Sequence, residues 1–184
     1  DEAALAAWRQ ANVEGYEGPL EVRQFKGGQS NPTYQLITPN KKYVMRRKPP
    51  GKLLPSAHAV DREFRIISAL WAQGFPVPEP FVDCADESVA GTAFYIMGFS
   101  DGRVFWEPDM PGSNPKERAA VYDCMNATLA RLHAFDPAAI GLAGFGRGDG
   151  YVARQVERWS KQYRASETES IRDMDALIEW LPHN

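Results

Sequence analysis

The chain has 184 residues, 43% of them hydrophobic and 24% charged, with a formal net charge of −3. That length supports a sizeable core in one or two lobes, and the near-neutral balance provides no electrostatic footprint for nucleic acid or an anionic membrane. The apolar run Ala93 to Met97 is far too short to span a bilayer.

The first residues, Asp1-Glu2-Ala3-Ala4, are acidic and do not form the basic start of a signal peptide. Numbering from Asp1 instead of Met suggests a missing leader. Cys84 and Cys124 lie far apart and form no CxxC or Cys/His cluster. Both thiols are expected to pack as small hydrophobes in a reduced cytoplasm.

An alanine-rich helix is expected over residues 2–12, ending before Gly15. Leu20 to Phe25 alternates apolar and polar residues, the period of a half-buried strand. Gly27-Gly28 supplies a turn, Thr33 to Ile37 a second strand, and Lys42 to Arg46 a third. Pro49-Pro50-Gly51 then interrupts regular structure. Ser56 can cap a helix running to about Gln73, with Gly74 as its stop. Val60, Phe64, Ile67 and Trp71 form its apolar stripe, and Glu63 sits on the edge of that stripe.

Pro76, Pro78 and Pro80 enforce an extended connection to a hairpin, Phe81 to Cys84 with Thr92 to Phe99, around Asp86-Glu87-Ser88. After the crossing Asp101 to Ser113, three helices are expected, marked by Val121, Met125, Leu129 and Leu132, by Val152, Val156, Trp159 and Tyr163, and by Ile171, Met174, Ile178 and Leu181. An antiparallel sheet with helices, followed by helices only, reads as α+β in two lobes.

The turn from Phe25 to Tyr34 can cradle phosphates, because two glycines allow close backbone approach and Gln29, Ser30 and Asn31 add donors. Taken alone, a Gly-Gly hairpin reads as a turn and nothing more. It matches neither the protein-kinase glycine loop nor a Walker A motif; Gly51-Lys52 is followed by Leu53 instead of Ser or Thr. Lys41, Lys42, Arg46, Arg47, Lys48 and Lys52 form a basic run that a solvated strand edge would also explain. Alternation separates them: Val44 and Arg46 share one face, Met45 and Arg47 the other. If Val44 faces a nucleotide, so does Arg46, and Glu63 is its natural partner, since an inward carboxylate needs a cation.

The glycine-dense segment Gly141 to Gly150 fails the dinucleotide pattern and reads as a connection. His58, His133 and His183 have no metal spacing, and no acid/base pair can be nominated.

In order and spacing, Phe25 to Asn31, Tyr43 to Gly51, Arg62-Glu63-Phe64, Phe94 to Gly102, Leu129 to Gly141 and Arg154 to Tyr163 resemble the aminoglycoside phosphotransferase family. The resemblance is greatest to the branch found beside acyl-CoA dehydrogenases. It implies a protein-kinase-like two-lobed fold. The N-lobe would be an antiparallel sheet plus helix over 1–98, and 99–184 the hinge and first helices of an incomplete C-lobe.

By the same resemblance, Gly27, Gly28, Gln29, Ser30 and Asn31 would cover the ATP phosphates. Arg46, paired to Glu63, would stand where many relatives have lysine, a substitution that keeps the charge but changes the donor geometry. Met97 would lie behind the adenine, with the backbone of Gly98 and Ser100 on its edge. Gly98 and Phe99 replace the more usual Glu-Tyr of that hinge.

The family's catalytic aspartate, in an H-G-D-type loop, and its Mg²⁺-binding Asn and Asp are expected downstream of Leu181-Pro182-His183-Asn184. No catalytic or metal residue is therefore assigned in this chain, which alone is expected to be inactive. The implied function is an ATP- and Mg²⁺-dependent phosphotransferase acting on a small-molecule hydroxyl, cytoplasmic, with an acyl-CoA dehydrogenase as candidate partner and neither nucleic acid nor membrane. A non-catalytic nucleotide-binding or interaction module is the alternative.

Overall fold

The structure, a computed structural model, describes residues 2–13, 17–26, 31–51, 58–146 and 148–183. Five strands form one sheet: β1 (Glu21–Gln24), β2 (Thr33–Ile37), β3 (Lys42–Arg47), β4 (Pro80–Cys84) and β5 (Phe94–Gly98). Their order is β1-β2-β3-β5-β4, and every neighbouring pair is antiparallel. The β2–β3 turn is closed by Thr38, whose N–H and hydroxyl both donate to the Lys41 carbonyl while its oxygen accepts from the Lys41 N–H.

Strand alternation gives the sheet two different faces. On one, Leu36, Tyr43, Met45, Cys84, Phe94 and Ile96 join Leu5 and Val13 in the core beneath α1 (Glu2–Asn12). Trp8 meets Phe94 edge-on with ring centroids 5.2 Å apart, and the buried Arg9 stacks its guanidinium 4.6 Å from the centre of the Tyr43 ring. Each large apolar side chain sealed here contributes about 1.5–3 kcal/mol.

Helix α2 (Val60–Trp71) covers the other face, burying Val60 and Leu70 and setting Phe64 5.8 Å from the Tyr95 ring. It begins at Val60, with Ala59 at its N-cap; the expected cap, Ser56, lies outside the described residues. The stripe also ends differently: Leu70 is buried and Trp71 is 46% exposed. Gly74, at φ +64°, ends the helix as expected, with Gly74 N–H on the Trp71 carbonyl and Phe75 N–H on the Leu70 carbonyl.

Between β4 and β5 the expected hairpin contains a single helical turn, α3 (Glu87–Ala90). Asp86 caps it by accepting from the Ser88 N–H, and Gly91 closes it at φ +79°. Helix α4 (Pro115–His133) starts with a capping box between Asn114 and Glu117 and has Pro115 in its first turn. Phe135, just beyond it, packs edge-on against Phe75 with centroids 5.8 Å apart.

The chain divides into two compact units, Asp1–Leu142 and Ala143–Asn184. The sheet and α1 to α4 lie in the first. The second consists of α5 (Tyr151–Ser166) and α6 (Arg172–Trp180), with a closing turn at Leu181–His183; Arg164 of α5 pairs with Glu167 and with Asp175 of α6. The apolar stripes of α4 and α5 exist, but Met125, Leu129, Leu132, Val152 and Trp159 are exposed. Cys84 is buried as expected, whereas Cys124 is exposed on α4. Among the described residues no helix is long and apolar enough to cross a membrane.

Ile96 is fully buried at the centre of the sheet. Ile96→Ala should destabilise the protein by about 2–5 kcal/mol in urea unfolding; a loss under about 1 kcal/mol would contradict the packing of the α1 face.

Candidate nucleotide site

The β3–β5 register pairs Val44 with Met97 and Arg46 with Tyr95. Directly opposed residues share a face, so these four side chains look toward α2. Arg46 Nε lies 2.9 Å from Glu63 Oε2, both side chains about one-third exposed, at 35% and 34%. The Nε–H is not aligned with that oxygen, which makes the contact an ion pair and not a directed hydrogen bond. Tyr95 donates its hydroxyl to the same Oε2 at 3.1 Å. Asn31 Nδ2 donates to Oε1 at 3.0 Å. The carboxylate therefore meets one cation and two neutral donors, which offset the desolvation it would otherwise suffer.

At one-third exposure an ion pair contributes about 1 kcal/mol or less to stability. Its value is orientation. Glu63 occupies the Nε edge of the guanidinium, and the two terminal nitrogens remain to address a planar or tetrahedral oxyanion.

The network continues one residue further. His58 Nδ1 stands 2.9 Å from Asn31 Oδ1, and His58 holds φ +57°, a left-handed conformation uncommon outside glycine. Tyr95, only 2% exposed, has its phenol pushed above the ordinary range, first by burial and then by the charge of Glu63, with Arg46 opposing. The phenol consequently stays protonated and keeps donating at neutral pH.

The basic run splits as its alternation implied. Arg46 turns to Glu63, while Arg47 leaves by the opposite face and donates to the Ala90 carbonyl at 2.7 Å. Lys41 pairs with Glu79 at 3.1 Å, and Lys42 lies 5.5 Å from the centre of the Phe99 ring.

Of the residues expected at a nucleotide, Asn31 and Arg46 both contact Glu63, and Met97 lies two residues along β5 from Tyr95, on the same face. Gly98 donates its N–H to the Glu79 carbonyl at 2.8 Å, so any reading of a base edge by Gly98 falls to its carbonyl. Ser100 follows β5 and lines, with Gly98, Phe99, Lys42 and Trp71, a groove of about 470 Å³. Gly27, Gly28, Gln29 and Ser30 lie outside the described residues.

Tyr95 and His58 were missed by sequence reasoning. Tyr95 is identified only through the β3–β5 register, and His58 only through its contact with Asn31.

A cationic strand, a carboxylate from the first long helix and an apolar strand ending at a hinge define the small lobe of a kinase-like fold. The sequence model of the phosphotransferase enzyme family matches residues 21–184, and the chain belongs to that family. A protein from Ralstonia eutropha JMP134, solved as a candidate aminoglycoside phosphotransferase, is 50% identical with a TM-score of 0.84 over 100% of this chain and 53% of its own.

Acyl-CoA dehydrogenase family member 10 of Mus musculus is 49% identical over 90% of this chain and 15% of its own length. Acyl-CoA dehydrogenase family member 11 of Homo sapiens is 44% identical over 100% of this chain and 24% of its own length. The chain thus spans a quarter or less of these two curated relatives and about half of the solved one.

The raised Tyr95 phenol makes a pH prediction. An acid group whose folded pKa lies above its unfolded one contributes stability that is complete below the unfolded value and lost as pH rises beyond it. Unfolding free energy should therefore fall above about pH 10, the ordinary phenol value, and Tyr95→Phe should flatten that fall. Equal alkaline slopes for wild type and variant would contradict the burial of Tyr95 against Glu63.

Proposed function

We propose that this chain is the nucleotide-binding part of an ATP-dependent phosphotransferase that carries the γ-phosphoryl group to a hydroxyl of a small molecule. The observation that carries this reading is the Arg46–Glu63 pair, on the β3 face that Val44 and Met97 share. In kinase-like phosphotransferases a cation so held neutralises and positions phosphate oxygens. Bound Mg²⁺ would supply further neutralisation of the charge that develops on the transferred group.

Arg46 would present its terminal guanidinium nitrogens to the phosphates. Met97 and Val44 would offer the apolar surface for the base, with the Gly98 carbonyl and the Ser100 N–H on its edge. Gly27 to Asn31 would close over the phosphates. In this reading the base that accepts the hydroxyl proton, and the Mg²⁺ ligands, are supplied by residues that follow Asn184. Support comes from the family match together with the 53% coverage of the solved relative.

Two of the relatives carry the name acyl-CoA dehydrogenase. We take an acyl-CoA dehydrogenase as the candidate partner or neighbouring domain, a hydroxyacyl compound as the candidate acceptor, and a cytoplasmic location. That the chain matches only a fraction of those longer proteins also motivates the second reading, a non-catalytic nucleotide-binding or interaction module of a larger protein.

Thermal unfolding of the full-length protein with Mg·ATP tests the proposal. A ligand at about a hundred times its Kd adds about 2.7 kcal/mol to the unfolding free energy, and no shift at millimolar nucleotide would overturn the nucleotide reading. A shift without transfer of the γ-phosphoryl group to any hydroxyl would favour the module. Arg46→Ala should raise the Kd for ATP about tenfold or more, the scale of a lost charged hydrogen bond, with the fold retained. Unchanged affinity would remove Arg46 from the site.

A further inference from the structure

Asn31 lies two residues before β2. Its carbonyl accepts from the Thr33 hydroxyl at 3.1 Å, and the Pro32 carbonyl accepts from the Arg47 N–H at 3.1 Å. The side chain is 6% exposed, and both ends of its amide are engaged. An ionised carboxylate only accepts, so the group facing Glu63 must be Nδ2. Oδ1 is thereby directed to His58, whose Nδ1 must carry the proton of that contact. The left-handed backbone of His58 is a second, independent sign that this junction is held against local preference.

We propose that Asn31 is a positioning residue that acts through Glu63. It fixes the Oε1 side of the carboxylate while Tyr95 and Arg46 share Oε2, and so ties the approach to β2 to α2. Its side-chain amide, engaged at both ends, acts on the site through that carboxylate. Three contacts on two oxygens hold the Glu63 carboxylate, and Glu63 in turn holds the Arg46 guanidinium beside it through the 2.9 Å ion pair. With Asn31 removed, Oε1 is free to rotate toward solvent and Arg46 loses its aim. This deepens the nucleotide reading above and rests on it.

A double-mutant cycle on the full-length protein, read as ATP affinity by calorimetry in the presence of Mg²⁺, tests the proposal. Asn31→Ala should weaken ATP about tenfold. In a Glu63→Ala background the same change should cost less than about twofold, because groups that act as one unit are not additive. An equal loss in both backgrounds, or no loss from Asn31→Ala alone, would overturn the proposal while leaving the nucleotide site standing. Wild-type protein that binds no ATP would sink the nucleotide reading and this proposal together.

Should either single variant lose its fold or its measurable binding, a polarity swap decides. Asn31→Asp sets two carboxylates face to face, and adding Glu63→Gln restores an N–H donor between them. The double variant should bind ATP about tenfold more tightly than Asn31→Asp alone. No improvement would reject the proposal.

Discussion

The Glu63 carboxylate is the point on which the candidate site depends. It projects from a helix that would bury it at a loss, and three elements meet it: Arg46 from β3, Tyr95 from β5 and Asn31 from the foot of β2. None of these contacts is strong enough alone to hold a fold together. Together they hold a one-third-exposed cation in place, which phosphoryl chemistry needs more than it needs extra stability.

The sheet makes this possible by separating two tasks. The α1 face carries the stability, with Leu36, Tyr43, Phe94 and Ile96 all nearly or fully buried. The α2 face carries the polar constellation, which can remain partly open because the opposite core already anchors β3 and β5. Arg46 and Arg47 show the division within one dipeptide: one side chain enters the site, and the next ties the other face to the Ala90 carbonyl.

Much of this was legible in the sequence, and for identifiable reasons. The alternation of strand faces from Tyr43 to Arg47 separates Arg46 from its basic neighbours, and Glu63, at the edge of an apolar stripe, was its natural partner if Val44 faced inward; the structure pairs the two. The expectation of a nucleotide came from the family resemblance and not from periodicity. Tyr95 was not legible, because its place beside Arg46 is set by strand register between residues 49 apart in sequence. Nor was His58, whose role depends on a positive φ that no side-chain pattern announces. On α2 the expected stripe fails at Trp71, which is exposed, while the neighbouring Leu70 is buried. On α4 and α5, spacing marks the apolar stripes without telling which side chains stay exposed.

The most direct test is a crystal structure of the full-length protein with Mg²⁺ and a non-hydrolysable ATP analogue. The account requires a terminal nitrogen of Arg46 within about 2.7–3.2 Å of a phosphate oxygen, Glu63 still on its Nε edge, and the base beside Met97. Phosphates bound elsewhere, with Arg46 turned away from them, would contradict it.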